Sequence, residues 1–587
     1  MVEYFTLLNG ILETINDVLW HEVALYAILG VGILFTLWSG FSQYRALTHG
    51  VAITMGKYDH ATDPGAINHF QALSAALSAT VGIGNIGGVA LAVAVGGPGA
   101  IFWMWVVGFV GMALKTSEVT LAMIYRNVTD PNNPHGGAMW VADQGMARFG
   151  KAFQPLGKVL AVIFCITLLI ATITGGNMAQ AFNVAEITAS NFPQLHYVTD
   201  YLLTLLPLSS AVRAEATFFI HPRFLVGVIL SVLCALVIIG GIKRIGHVAA
   251  ALVPFMCGLY LLAALYVIGL HWRVVPDMFA LIFRSAFTPL EAQGAFLGGT
   301  FGIAFAQGMR RALFSNEAGQ GSAPIVHCAA RTDHPVREGL VAGLEPFIDT
   351  LVVCTLTALV MLVTGAWNRE AVAHFDEPPV IVANGDKQWT LDKTTPPPRH
   401  DGPWDHKASV FVIVEVGGKR DRLFGTVQDN GTSFAIEWKK FESEPKPVVA
   451  ETGVYEDFIA SALTSHAFDR VHKGMGLWLV TAAVWLFAFS TVISWSYYGE
   501  QGMVYLFGMK SVFIYRLIYC LCVLIACLGF ITTETELMNL SDLGTGVMLF
   551  ANLPILLIFG RQTMTIYADY IRRYRAGEFA RGDQPPG

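Results

Sequence analysis

The chain has 587 residues, of which 54% are hydrophobic and 14% charged, with 37 Lys and Arg against 43 Asp and Glu for a formal net charge of −6. That balance excludes a soluble enzyme, offers nothing to a nucleic acid, and makes the lipid bilayer the first expected partner.

Eleven apolar runs approach the roughly 20 residues a helix needs to span a bilayer: about 22–41, 72–97, 99–126, 155–184, 223–241, 246–270, 291–310, 338–365, 474–499, 511–531 and 542–561. No basic signal-peptide region precedes the first, so it is expected to stay in the protein. Alternate loops carry most Lys and Arg, from Arg45 and Lys57 through Lys243, Arg244, Arg310 and Arg311 to Arg561, Arg572 and Arg581. The opposite loops are sparser, though Arg213, Arg223, Arg273 and Arg284 fall there. Positive charge collects on the cytoplasmic side, which predicts an outside N-terminus and a cytoplasmic C-terminus in a multi-pass plasma membrane protein of the bacterial inner-membrane type.

The second run contains Ser78-Ala79-Thr80-Val81-Gly82-Ile83-Gly84-Asn85-Ile86-Gly87-Gly88. Four glycines and an asparagine make a poor continuous helix, and irregular backbone persists at membrane depth only where it lines a cavity or site. A broken helix presents free N–H groups and a partial positive charge at the start of its second half. Ile83, Gly84 and Asn85 are therefore placed to meet a carboxylate, and carbonyls near Ser78 and Val81 to meet a small cation such as Na⁺. The alternative is close helix packing through Gly84 and Gly88, four residues apart. In the third run Lys115 and Glu118 are three apart and are expected to pair with each other, Lys115 snorkelling to the interface. Gln180, inside the fourth run, needs a polar partner, either substrate or a neighbouring helix.

Gly294-Ala295-Phe296-Leu297-Gly298-Gly299-Thr300-Phe301-Gly302 opens a second glycine-rich segment, expected to be a second broken helix. Without the first helix, the remaining ten divide into five and five, each set opening on such a segment, the pattern of an inverted-repeat transporter. Ser315-Asn316-Glu317 reads as an inner-gate or structural element, and Asp349 either as a gating or coupling carboxylate or as a buried network partner.

Residues 366–470 break the apolar pattern and carry 12 Lys and Arg against 17 Asp and Glu. Ser409–Val416 reads as a strand, and Leu423–Val427, the turn Asp429-Asn430-Gly431 and 433–438 as a hairpin, so this insert is expected to be a small β-rich outward domain. After it, Thr491 and Trp495 share one helical face: a Trp wall beside a hydroxyl suits a small zwitterion, while the alternative is a packed Trp and a Thr bonded to its own helix. The eight cysteines give no disulfide framework, and Cys520 and Cys522, two apart on a helix, point different ways. The expected division is 1–71 (extra helix and loop), 72–271 (first repeat), 272–365 (two helices of the second), 366–470 (insert), 471–561 (last three helices) and 562–587 (basic tail).

Ala79-Thr80-Val81-Gly82-Ile83-Gly84-Asn85 resembles the first-helix motif of the neurotransmitter:sodium symporters. A wider resemblance is to the alanine/glycine:cation symporter family. It runs through Phe70–Leu77, 96–105, Gly175-Gly176-Asn177-Met178-Ala179-Gln180, Leu313–Pro324, Thr332-Asp333-His334-Pro335, 347–355, 488–491 and Trp495-Ser496-Tyr497-Tyr498-Gly499-Glu500. The resemblance implies a LeuT-type five-plus-five all-α fold with an extra N-terminal helix, no enzymatic activity, no cofactor, and Na⁺-coupled uptake of alanine or glycine. It further implies that Gly82, Ile83, Gly84 and Asn85 meet the substrate carboxylate, that Gln180, Phe296, Thr491 and Trp495 line the pocket, and that Ser78, Val81, Ser490 and Thr491 surround sodium. Family members often carry Thr where Ile83 stands, leaving only a backbone amide there, and the insert is longer than the family loop. Other readings are a proton-coupled transporter and an amino-acid sensor that signals through the insert. No Ser/His/Asp grouping or metal spacing supports an intramembrane enzyme.

Overall fold

The computed structural model describes residues 2–192, 222–528 and 535–579, apart from a few isolated positions (61, 386, 401, 406, 407, 430–432 and 459), together with short pieces between 194 and 201. Arg213, Arg581 and the turn residues Asn430 and Gly431 lie outside the described residues.

Helices α1 (Val2–Leu19) and α2 (Glu22–Trp38) form one path bent by 43°, followed by a short helix α3 over 42–54. Helix α4 (His69–Thr80) starts where the Asn68 side chain accepts from Gln71 N while Gln71 reaches back to the Asn68 N–H, a reciprocal cap. Its continuation α5 (Gly84–Gly96) leaves at 54°. Next come α6 (Gly99–Ile124), a short α7 over 138–145, α8 (Gln154–Asn191), α9 (Pro222–Ile238), α10 (Gly241–Leu270) and the surface helix α11 (Val275–Ser285). Then follow α12 (Phe301–Asn316), α13 (Ala323–His327) and α14 (Pro335–Thr364). Beyond the insert lie α15 (Ser461–Asp469), α16 (Met475–Phe507), α17 (Val512–Ala526), α18 (Thr535–Ile558) and α19 (Gly560–Arg575).

Among the described residues, seven helices are long and apolar enough to cross a membrane by themselves, or nine if each bent pair is one span. The run expected at 223–241 is α9, an apolar helix of 17 residues. The run expected at 291–310 is half loop, and its helix is the 16-residue α12. Their side chains form one continuous apolar core.

The second glycine segment is not a helix break. Residues 290–299 form a tight loop with bridges Leu290 to Gly299 and Gln293 to Phe296, and α12 begins only at Phe301, capped by the Thr300 side chain. The interruption comes sixteen residues later, where Glu317 turns left-handed (φ 54°) and Gly319 and Gly321 follow with φ of 85° and 80°.

The insert forms a five-stranded antiparallel sheet, β1 (Ala373–His374), β4 (Ser409–Val416), β5 (Lys419–Asp429), β6 (Phe434–Trp438) and β8 (Val448–Glu456), in the order β1-β8-β4-β5-β6. Strands β2 (Ile381–Ala383), β3 (Gln388–Leu391) and β7 (Phe441–Glu442) make a second small sheet. Strand β4 is buried on both faces, which explains its continuous apolar run. Val410, Val412 and Val414 enter the domain's own core. Phe411 and Ile413 face the other way and join Ala295 of the 290–299 loop. Arg422 donates to the Ala295 carbonyl at 2.9 Å and lies 4.8 Å from the Phe411 ring centre. Gly294, at φ +55°, lies against the Asn368 and Arg369 carbonyls, where a side chain has no room. Of the glycines that suggested a broken helix, Gly294 thus lies against the start of the insert, and Gly298 and Gly299 shape the loop that carries it.

Arg422→Ala removes that seat's hydrogen bond and cation–π contact, worth about 1–3 kcal/mol together. Limited trypsin digestion of the purified protein should cut the insert faster than in the wild type while the membrane fragment stays intact; equal rates would place the domain's anchorage elsewhere.

Candidate functional site

The first break is held by side chains from distant elements. Val81 leaves the helical conformation (φ −78°, ψ 91°), and Gly82 N donates to Asn85 Oδ1 at 2.8 Å. The Asn85 amide nitrogen turns away from the gap, towards Ser315 Oγ at 3.1 Å, the Asp349 carboxylate and Cys354 Sγ. On the other side, Ser78 Oγ donates to the Ser490 carbonyl at 2.6 Å, Ser490 Oγ to the Ser78 carbonyl at 3.4 Å, and Trp495 Nε1 to the Ala79 carbonyl at 3.3 Å. Helix α16 therefore takes up the carbonyls that the end of α4 releases.

Three helices at this level carry wide π turns, at Gly84–Gly88, Thr174–Met178 and Phe347–Cys354, a feature common at functional sites. The second brings Gly176 under Trp495, where a Cβ would come within 2.5 Å of the indole, so only glycine lets the ring lie there.

Between the two breaks lies a small cavity. Five residues expected at a substrate site line it: Gly82, Gly84, Gln180, Thr491 and Trp495. Gln180 Nε2 donates to the Gly175 carbonyl at 3.1 Å, leaving its buried Oε1 without a protein partner. The buried Thr491 hydroxyl has none either, which disfavours the reading that it bonds back to its own helix. Both oxygens point at Gly82: a Cβ there would lie 2.8 Å from Thr491 Oγ1 and 3.8 Å from Gln180 Oε1.

The remaining expected residues fall elsewhere. Ile83 and Asn85 are buried beside the cavity without lining it, Asn85 serving as the clasp just described. Ser78, Val81 and Ser490 are buried behind the break, next to Thr491. Phe296 is not at the cavity; its ring packs 5.1 Å from that of Trp367 and against Gly97. Conversely, Phe314, Ser315, Glu317 and Gln320 of the second break, and Ser541 and Thr545 of α18, line the cavity without having been singled out as pocket residues. The signal for the first four was present: Glu317-Ala318-Gly319-Gln320-Gly321 combines glycines with polar residues in an apolar stretch, as the first break does.

The ionisable residues pair differently from expectation. Lys115 does not snorkel; it is fully buried and donates to Glu345 Oε2 at 3.0 Å. Glu118 accepts instead from Gly321 N at 3.3 Å and Asn552 Nδ2 at 3.2 Å, bracing the second break. Asp349, also buried, accepts from Asn85, Ser315 and Thr350.

Residues 5–377 and 447–583 match the sodium:alanine symporter family. The sodium/alanine symporter AgcS of Methanococcus maripaludis is 34% identical over 94% of this chain and 94% of its own. Two Bacillus subtilis proteins carry provisional names: YrbD, a sodium/proton-dependent alanine carrier (29% identical, 96% and 93% coverage), and GlnT, a sodium/glutamine symporter (27%, 97% and 92%). The names are those of transporters, not enzymes, and with the apolar helices they mark a multi-pass membrane protein. Matched over most of its length, interrupted only within the β insert, the chain belongs to the sodium:alanine symporter family.

Proposed function

We propose that the protein is a secondary transporter that carries sodium together with a small neutral amino acid, alanine or glycine, by alternating access to the cavity between the two helix breaks. The observation that carries this reading is the pair of buried, unpartnered oxygens, Gln180 Oε1 and Thr491 Oγ1, converging on Gly82. Buried polar atoms without partners are rare and costly unless a ligand supplies the missing bond. Gln180 Oε1 only accepts, so it suits an ammonium; the first N–H groups of α5, at Ile83 and Gly84, suit a carboxylate. The Trp495 wall leaves room for a methyl or a hydrogen as side chain.

In this reading sodium sits at the oxygens of Ser78, Val81, Ser490 and Thr491, the hard ligands such a cation prefers. The two breaks are counterparts in two inverted five-helix repeats. The chain lies in the plasma membrane with its N-terminus outside and its C-terminus in the cytoplasm. Coupling requires that sodium and amino acid bind one access state more tightly than the other.

In proteoliposomes, an inward sodium gradient should drive accumulation of labelled alanine, and unlabelled glycine should compete better than glutamine. Uptake indifferent to sodium would reject the coupling, stronger competition by glutamine would enlarge the substrate class, and saturable alanine binding without flux would favour a sensor.

Thr491→Ala and Gln180→Leu each remove one ligand-facing oxygen. Each should weaken alanine uptake by about 1–3 kcal/mol, roughly five- to 150-fold in kcat/KM, whereas Phe296→Ala should lower the thermal midpoint and leave the alanine KM unchanged. A KM shift in the Phe296 variant alone would move the site towards that ring.

A further inference from the structure

A second polar assembly runs from solvent to Lys115, which feels the charge of Glu317 on the cavity wall. At its outer end the half-exposed Asp59 carboxylate lies 3.7 Å from His69 Nε2, and His69 Nδ1 bonds Glu338. The other Glu338 oxygen lies 2.5 Å from His327 Nδ1, and His327 Nε2 lies 2.6 Å from Glu345 Oε1. Glu345 closes the chain on Lys115. Every side chain from His69 to Lys115 is fully buried. Lys115 also lies in the field of Glu118 and Glu317, and Glu317, bonded to Ser322 Oγ, lines the cavity.

His327 faces a carboxylate at each ring nitrogen. A neutral imidazole has one N–H, and an ionised carboxylate only accepts. Both bonds therefore require one proton more than a neutral histidine and two carboxylates carry, whether it sits on the ring or on a carboxyl. The charges agree: Lys115 is one fixed cation among Glu338, Glu345, Glu118 and Glu317, and burying that many unpaired carboxylates is prohibitive. Arg126 lies in the field of Glu338, but neither it nor Arg337 bonds His327 or its two carboxylates. Arg126, after α6, donates to the Cys328 and Ala330 carbonyls, and Arg337 of α14 donates to the Tyr58 carbonyl. Cys328 adjoins His327, and Tyr498 of α16 lies near Glu345.

We propose that this chain is a proton path, and that a proton entering with the amino acid crosses it to leave by Asp59, as a second coupled ion. The proton arrives on the Glu317 carboxyl, Lys115 passes one of its own protons to Glu345 as it takes that one, and His327, Glu338 and His69 hand it on. Nothing is oxidised or reduced, and each imidazole, which takes the proton at one ring nitrogen and releases one from the other, exchanges tautomers before the next transfer.

The proposal rests on the transport reading, and the test separates the two. Proteoliposomes holding a trapped pH dye should acidify inside as labelled alanine accumulates. His327→Gln, which has no second proton to carry, should keep alanine counterflow but acidify about tenfold less or weaker still. Asp59→Asn, at the solvent end and safer for folding, should slow acidification and spare counterflow. Wild-type accumulation without a pH change, or wild-type acidification in both variants, overturns the proposal. Absent counterflow of alanine, glycine and glutamine in the wild type overturns the transport reading instead. The proton site is then decided without substrate by infrared pH-difference spectra of the purified protein: carboxyl or imidazolium bands lost in His327→Gln support it, and identical spectra overturn it.

Discussion

Breaking a helix inside a bilayer frees N–H and C=O groups that lipid cannot bond, so each must find a partner inside the protein. The architecture around the cavity follows from how those partners are supplied. At the first break Asn85 bonds the Gly82 N–H, while Ser490 and Trp495 take the carbonyls that α4 releases. At the second, Gln320 Nε2 donates back to the Leu313 carbonyl at 2.9 Å, Asn316 accepts from Ala318 N, and Glu118 accepts from Gly321 N. These clasps come from α6, α16 and the breaks themselves, so two irregular segments are fixed relative to each other as well as to their own helices.

The cavity lies where this satisfaction stops. Most side-chain polar atoms at the two breaks are bonded within the protein, and the buried Gln180, Thr491 and Gln320 oxygens bordering the cavity are not. The placement of the first two also explains why glycine stands at 82: any side chain would enter the space that both oxygens face. Asp349 belongs to the same logic from the opposite side. It holds Asn85, Ser315 and Thr350 together, so the clasp on the first break and the wall of the second share one buried carboxylate.

The first break was legible because four glycines and an asparagine in an apolar run make a poor continuous helix. The second was not, because glycine density alone does not distinguish a broken helix from a tight loop. Gly294, Gly298 and Gly299 serve the loop, whereas the true break turns on Glu317, a residue seldom left-handed, followed by Gly319 and Gly321. Thr300, a good N-cap placed after the glycines, was the local clue that α12 begins there. Gln180, Thr491 and Trp495 were reachable from polarity and spacing together with the family resemblance. Phe296 was assigned through the resemblance and lies with Trp367. Lys115 shows the limit of local spacing: Glu118 is one turn away, yet the partner is Glu345, 230 residues on, because the helix face that carries Lys115 is turned towards α14.

The β insert shows how a membrane core tolerates a foreign domain. The family match lapses only over 378–446, inside the insert, while the strands at its margins lie in matched sequence. Those margins, β1 and β8, pair with each other at Ala373 and Val454, so the chain leaves and re-enters the membrane part at neighbouring points and the ends of α14 and α15 need not separate. An insertion whose ends already meet costs its host little. The remaining requirement is a contact surface, met by Phe411 and Ile413 against Ala295. That contact falls on the loop leading into α12, the helix that ends at the second break, so the insert and the cavity are joined by a single helix of sixteen residues. A domain added at such a point rests against one end of the element whose other end lines the cavity.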